Sequence, residues 1–215
     1  MSAQHPGKNK RNQTYQRYLA FGLLRVGAVV LRVIGIDKLG LGDHEMPTLL
    51  FCSDIAHTES NGFLYHNVSL PLWMLLWTDS VLSLRLASLI FSLVGIVGMY
   101  FLGNKIGGVR FGLAAAFFLA ISDYDILLSQ HIRFHEFNAC LCIWGTFAFV
   151  NFLERPRWSS WLTFALIGVL CIGSMVLSYL LVCLLLLGGL VLYPSDHRFR
   201  LWILGHFGLF TAKSV

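Results

Sequence analysis

Charged residues are scarce in this chain of 215 residues: Asp, Glu, Lys and Arg together make up 13% of it, whereas a soluble domain carries roughly 25%. The remaining polar side chains are too few to cover a water-facing globule, because 56% of the residues are hydrophobic and the mean hydropathy is +0.68. This composition excludes a soluble enzyme, a disordered tail and a secreted disulfide scaffold. It predicts a membrane protein that crosses the bilayer several times.

Two further patterns are missing. Among the five cysteines, Cys140 and Cys142 are two positions apart, whereas the cysteines of redox and zinc pairs are three apart. We therefore predict no metal site, no disulfide framework and no cofactor. The N-terminus also lacks the short apolar core and small-residue cleavage site of a signal peptide, so its first apolar run is interpreted as a retained span.

The apolar runs predict an all-α fold, a polytopic membrane helix bundle of about six to seven spans, since each crossing of the hydrocarbon core takes about 20 residues. A polar, cytoplasmic tail, 1–17, is followed by one transmembrane domain, 18–215, which we expect to be incomplete at its C-terminus because the chain ends inside an apolar run. Its first outer loop, 37–80, is expected to carry interfacial helices at 47–55 and 70–78. The predicted spans are 18–36, 81–102, 111–121, 136–153, two segments of 158–193 that separate near 173–178, and a run from 201.

The loop charges predict the orientation. Basic residues concentrate in the N-terminal tail and in the short segments 105–110, 155–157 and 198–200. Alternating spans put all of these on one side, and the positive-inside bias makes that side the cytoplasm. We therefore predict a multi-pass plasma-membrane protein with a cytoplasmic N-terminus, bacterial in preference to a protein of the endoplasmic reticulum. The same distribution argues against nucleic acid as a partner.

Three arginines depart from this trend. Arg32, Arg85 and Arg133 all fall at the outer boundary of the predicted spans. Guanidinium groups bind phosphate oxygens in a two-pronged geometry, so three of them at one boundary favour an anionic ligand. The alternative interpretation is snorkelling to lipid headgroups or pairing with Asp37 or Asp79.

Two polar clusters accompany the arginines. Asp43, His44 and Glu45 follow the first span and are candidates for a general base at the membrane surface. Gln130 and His131 precede Arg133, and His66 ends the first outer loop, so these three are candidate substrate-binding residues. His131 and His135 are four apart and would share a face if both lay on one helix. A solvated turn is the preferred interpretation of Asp123 and Asp125.

The order of several motifs resembles the C-type glycosyltransferases related to dolichyl-phosphate-mannose protein mannosyltransferases and to bacterial lipid-A aminoarabinose transferases. The resemblance covers roughly residues 30–193. An arginine ends the first span, an acidic pair follows in the outer loop, and a Pro-Leu-aromatic segment returns to the membrane. The later motifs are Leu84-Arg85-Leu86-Ala87-Ser88, Tyr100-Phe101-Leu102-Gly103, Gly112-Leu113-Ala114-Ala115-Ala116, and Ser129-Gln130 with Arg133.

This resemblance implies an enzyme that moves a hexose or mannose-type sugar from a polyprenyl-phosphate carrier to a glycan, lipid or protein acceptor on the outer face of the membrane. An outer-loop Asp serves as the base in this family. Glu45 aligns with the family's Glu and His44 with its Asp, while Asp43 lies one position early. The arginines then hold the carrier phosphate, and Asp43 or Glu45 removes the acceptor's proton.

Two other classes remain open. A metal-dependent membrane enzyme would use His131, His135 and an outer carboxylate. A non-catalytic, degenerate or truncated transferase-like subunit would bind lipid or another subunit, and the histidine at position 44 favours it. A channel or transporter is disfavoured, because the spans offer no buried carboxylate and no repeated half.

Overall fold

The computed structural model describes residues 6–34, 64–77 and 80–192, together with Ile36 and Glu45. Within those residues every regular element is helical, so the predicted all-α fold is confirmed for this part of the chain. A single π-helical turn, Tyr65–Ser69, leads into the second helix. The helices are α1 Pro6–Val33, α2 Leu70–Leu76, α3 Val81–Ala120, α4 Asp123–Ser129, α5 Phe134–Glu154, α6 Trp158–Ser174 and α7 Val176–Leu192.

Helix α3 folds back on itself at Gly108. This glycine has φ +79°, a left-handed conformation that only glycine adopts without strain. The arms on either side pack antiparallel, since a Cβ on Gly112 would lie 2.6 Å from the carbonyl oxygen of Tyr100. The sequence predicts two spans joined by a loop at 103–110. The structure shows a shorter connection than this predicted loop. Residues 103–107 continue the first arm, and the chain reverses at Gly108 alone.

The second arm of α3 ends early. Residues 109–120 rise about 18 Å at 1.5 Å each, which is less than the roughly 30 Å of a bilayer core. After a turn, Ser122 accepts a hydrogen bond from the backbone N–H of Asp125 and so caps α4. The third predicted span is therefore a broken helix.

Helix α5 is the centre of the bundle and packs against α3, α6 and α7. Its buried face, which includes Ala148, Phe149 and Phe152, meets Phe164 of α6 and Val182 of α7. Many large apolar side chains face outward instead, as expected for a chain surrounded by lipid. The α5 bounds agree closely with the predicted span 136–153, and the α6–α7 junction at Met175 falls inside the predicted break.

Two described helices are long and apolar enough to cross a membrane by length and composition. Val81–Ala120 reaches a mean hydropathy of 2.1 and Phe134–Glu154 one of 1.3 over an 18-residue window. Helices α6 and α7 are apolar but shorter. The predicted six to seven spans are therefore not confirmed. Helix α1 begins at Pro6, inside the predicted tail, and the segments predicted at 47–55 and from 201 lie outside the described residues.

Candidate active site

Arg85 forms a buried ion pair at one end of the bundle. Ser80 caps α3 by accepting from the N–H of Ser83 at 3.3 Å, which sets Arg85 one turn into the helix, where it is 2% exposed. Its Nε donates to Oε1 of Glu45 at 3.3 Å and its Nη2 to Oε2 at 2.9 Å. The remaining Nη1 donates to the carbonyl oxygen of Ile36 at 2.8 Å. Breaking such a buried pair costs about 3–5 kcal/mol, because it leaves a charge without its partner.

Glu45 connects the first outer loop to the segment before α5. It is fully buried and, besides Arg85, accepts from the backbone N–H of Ile132 at 2.9 Å. A carboxylate held by three donors is firmly positioned and has little free capacity to take a proton. Its geometry therefore favours holding the loop over acting as a base.

A second buried pair lies beside the first. Arg32, in the last turn of α1, is fully buried and forms an ion pair with Asp125 of α4. Its Nε donates to Oγ of Ser92 at 2.7 Å, and Ser92 donates in turn to Asp125 at 2.8 Å. Nη1 of Arg32 also donates to the carbonyl oxygen of Ala120 at 3.0 Å. The pair thus joins α1, both arms of the α3 hairpin and α4.

Gln130 extends this arrangement to the exit of α1. Its side-chain amide donates to the carbonyl oxygens of Arg32 and Ile34, each at 3.0 Å, which satisfies acceptors that a helix end otherwise leaves unpaired. Glu45 is bonded two residues further on, at Ile132. The segment 130–132 therefore holds both the end of α1 and Glu45, and we call these contacts the clasp. We call Arg32, Glu45, Arg85, Asp125 and Gln130 the arginine–carboxylate layer.

Arg133 differs from the other two arginines. It is the N-cap residue of α5, in an extended conformation, and is partly exposed. Within the described residues its guanidinium group makes no hydrogen bond or ion pair. The structure thus brings all three arginines to one end of the bundle, but Arg32 and Arg85 have protein acceptors while the Arg133 group is available to a ligand.

The other predicted site residues are distributed as follows. Asp43 and His44 lie outside the described residues. The backbone of His66 lies in the π-helical turn, and its side chain is outside the described part. His131 lies in the turn before α5, where its Nδ1 is 2.8 Å from the carbonyl oxygen of Leu127.

The predicted pairing of His131 with His135 on one helical face is wrong. Helix α5 begins at Phe134, so only His135 is helical, and its ring contacts that of Phe134 in a tilted arrangement, with 4.3 Å between centroids. Among the residues that the structure describes, no group of three or more His, Cys, Asp or Glu side chains is arranged to hold a metal ion.

Sequence reasoning missed three members of this region. Asp125, interpreted as a solvated turn residue, is buried as the partner of Arg32. Ser92 joins that pair from the middle of an apolar helix. Glu136, in the first turn of α5, is 2% exposed and interacts electrostatically with Arg32 and Asp125. The expectation that the spans offer no buried carboxylate is therefore wrong. The polar Ser92 within an apolar run was the sequence signal that could have indicated a buried polar partner.

An apolar wall flanks the layer. Tyr65, Leu70, Leu84 and Ile132 are buried together. Trp73 packs against them and donates through Nε1 to the carbonyl oxygen of Ser83 at 3.0 Å. The charged layer therefore borders a buried apolar core that holds the π-helical turn and α2 against α3.

Within the described residues, a helical bundle with two long apolar helices and buried ion pairs at one end is typical of a membrane protein. The family model for dolichyl-phosphate-mannose-protein mannosyltransferase matches residues 66–208, and the chain belongs to that family. It is therefore a membrane glycosyltransferase of the mannosyltransferase type, and the resemblance found in the sequence is confirmed. Comparison with curated proteins and with solved structures yields no match. The family match includes Arg85, Gln130 and Arg133 but not Arg32 or the residues 43–45.

Proposed function

We propose that this protein transfers a mannose-type sugar from a polyprenyl-phosphate carrier to an acceptor hydroxyl on the outer face of the plasma membrane. The observation that carries the proposal is the arginine–carboxylate layer, which holds Glu45 against Ile132, the residue next to Arg133. The family supports sugar transfer. The N-terminus and the basic loops then lie in the cytoplasm, as the positive-inside bias favours.

Arg133 is our first candidate for the group that binds the donor phosphate. Its guanidinium group is partly exposed at the end of the bundle where the other two arginines are already bonded to carboxylates. Gln130 and His131 adjoin it in sequence, and His66 belongs to the turn that borders the apolar wall. In this assignment Arg32 and Arg85 act through the loop that they hold rather than on the phosphate.

Asp43 is our candidate for the base. Glu45 is anchored by Arg85 and Ile132, and Asp43 precedes it by two positions in the sequence. The acceptor oxygen attacks the anomeric carbon, its proton passes to the Asp43 carboxylate, and the bond to the phosphate oxygen breaks with its electron pair going to the phosphate. Because this leaving group is already stable as an anion, one carboxylate and one cationic group suffice. The product has inverted configuration.

The test separates donor binding from turnover. Membranes that contain the full chain are given polyprenyl-phosphate mannose, and release of polyprenyl phosphate is followed by mass spectrometry. Arg133→Ala should lower donor binding and reduce turnover by about 100-fold, the order expected for loss of a charged group that stabilises developing charge. Asp43→Asn should abolish turnover while donor binding persists.

Arg110→Ala is the matched control, because Arg110 is exposed and lies beside the α3 reversal, at the opposite end of the bundle. It should retain wild-type turnover. Wild-type turnover in Arg133→Ala and Asp43→Asn would overturn the assignment of both roles.

A non-catalytic, transferase-like subunit is the second candidate, because His44 stands where the family's Asp is expected. It predicts that the wild-type protein binds polyprenyl-phosphate mannose without releasing the sugar, and that Asp43→Asn changes nothing. The same assay therefore distinguishes the two candidates.

A further inference from the structure

A cavity of about 490 Å³ opens at the end of the bundle opposite the arginine–carboxylate layer. It lies between the end of the first α3 arm, the end of α5 and the start of α6. Its polar lining comprises three cations, Lys105, Arg155 and Arg157, and the hydroxyl groups of Ser159, Ser160 and Thr163. We call this site the basic cavity. Its volume is within the range of small-molecule sites, about 300–1,000 Å³.

The basic cavity has an excess of positive charge. Lys105 is paired with Glu154 at 2.8 Å and also bonded to Asn151. Arg155 and Arg157 are exposed, and over the described ranges neither guanidinium group has a hydrogen bond or an ion pair. Among the described residues, these two cations of the cavity lining therefore have no anionic partner.

Helix α6 adds to this field. It begins at Trp158, and its N-cap residue, Arg157, makes no side-chain cap bond. The first N–H groups of a helix carry a partial positive charge and favour anions. Together with the two arginines and the hydroxyl groups of Ser159 and Ser160, they form a set of donors suited to phosphate oxygens; the Thr163 hydroxyl already donates to the carbonyl oxygen of Ser159.

The inner wall of the basic cavity is apolar. Trp144, Phe147 and Ile167 line it, and the Trp144 N–H is already donated to the carbonyl oxygen of Val94 at 3.2 Å. A free phosphate ion would leave this wall exposed to water, whereas a lipid would cover it with the first carbons of its acyl chains. The combination of a cationic mouth and an apolar wall therefore favours a phosphate that is carried on a lipid.

We propose that the basic cavity binds the headgroup of an anionic phospholipid. Basic pockets between membrane helices on the cytoplasmic side are suited to such headgroups, and this end carries the basic loops of the sequence. The site is separate from the proposed donor site, because α3 and α5 each run from one to the other. Its occupancy would hold α6 against α3 and α5.

The test titrates the purified full chain in detergent with phosphatidylglycerol, phosphatidylcholine or inorganic phosphate and counts bound ligand by native mass spectrometry. We expect one phosphatidylglycerol to be retained in preference to phosphatidylcholine. Each lost arginine near an anionic headgroup weakens binding about fivefold, so Arg155→Gln/Arg157→Gln should weaken retention about 30-fold.

Two further variants make the result specific. Arg17→Gln/Arg110→Gln removes the same charge from exposed positions outside the basic cavity and should retain phosphatidylglycerol like the wild type. Thr163→Trp fills the cavity without altering a charge and should lose the lipid. Circular dichroism checks that each variant is folded.

The proposal is overturned if Arg155→Gln/Arg157→Gln binds phosphatidylglycerol as tightly as the wild type, or if the control double variant weakens binding equally. Displacement of the lipid by equimolar inorganic phosphate would also overturn it, since the ligand would then be a soluble ion. None of these results depends on sugar transfer.

Discussion

The ion pair of Arg85 with Glu45 should contribute far more to stability than an exposed pair of the same chemistry. The side chains of Arg85 and Glu45 are 2% and 0% exposed. Arg85→Met leaves the Glu45 carboxylate in the protein interior without its cation, which costs about 3–5 kcal/mol. For a chain of this size the midpoint of heat unfolding should fall by about 6–20 °C.

The same protein supplies the comparison. Lys105 and Glu154 lie 2.8 Å apart, close to the 2.9 Å of the buried pair, but their side chains are 22% and 51% exposed. An exposed ion pair contributes about 0–1 kcal/mol because water and salt screen it. Lys105→Met should therefore change the unfolding midpoint only slightly. Burial, rather than distance, distinguishes the two pairs.

A double-mutant cycle isolates the interaction. Arg85→Met/Glu45→Leu removes both charges, so its cost should fall below the sum of the single costs by about 2–3 kcal/mol. Unfolding in detergent can be followed by labelling the buried thiols of Cys140 and Cys171, which are 7% and 1% exposed. Additive single costs, or an Arg85→Met effect no larger than that of Lys105→Met, would refute the reasoning.

Two further substitutions address the clasp and the hairpin. Gln130→Ala removes both hydrogen bonds to the end of α1 and should lower the free energy of unfolding by about 1–3 kcal/mol. The isosteric Gln130→Glu should not restore the stability, because a carboxylate donates no proton. Full stability of either variant contradicts the role of Gln130 in the clasp. Gly112→Ala places a methyl group 2.6 Å from the Tyr100 carbonyl oxygen and should lower the free energy of unfolding by about 1–3 kcal/mol through overpacking. Gly27→Ala is the control, because nothing lies within 4 Å of its Cβ, and it should not lower the stability. Thermal unfolding of the two variants in parallel checks the close approach of the α3 arms.

The sequence predicts this fold best where one local property decides the structure. The length of the apolar run predicted α5, and the run 158–193, too long for one crossing, predicted a break near 173–178 that contains the α6–α7 junction. The reversal of α3 was misjudged because its sharpness depends on the contact between Gly103 and Gly112, which no local pattern reveals. The start of α4 was missed for a different reason, because the Ser122 cap is a local signal that sequence reasoning interpreted as a polar turn.

The candidate site was predicted only in part. The positions of the arginines at span ends indicated that Arg32, Arg85 and Arg133 would meet at one end of the bundle. Their partners were not predictable, because Arg32 and Asp125 are 93 positions apart and meet only through the helix register of α1 and α4. The burial of a side chain cannot be predicted from its residue type. Burial is what distinguishes Arg32 and Arg85, which are bonded to carboxylates, from the partly exposed Arg133.

The clasp at residues 130–132 has a consequence for the order in which the protein is made. A ribosome that has completed the first hundred residues has already delivered the acidic loop and Arg85. It has not yet produced the Asp125 carboxylate that neutralises Arg32 or the Ile132 amide that anchors Glu45. A nascent chain at that stage carries an unpaired guanidinium into the bilayer, so insertion of the first helix should remain reversible until the α3 hairpin has followed it.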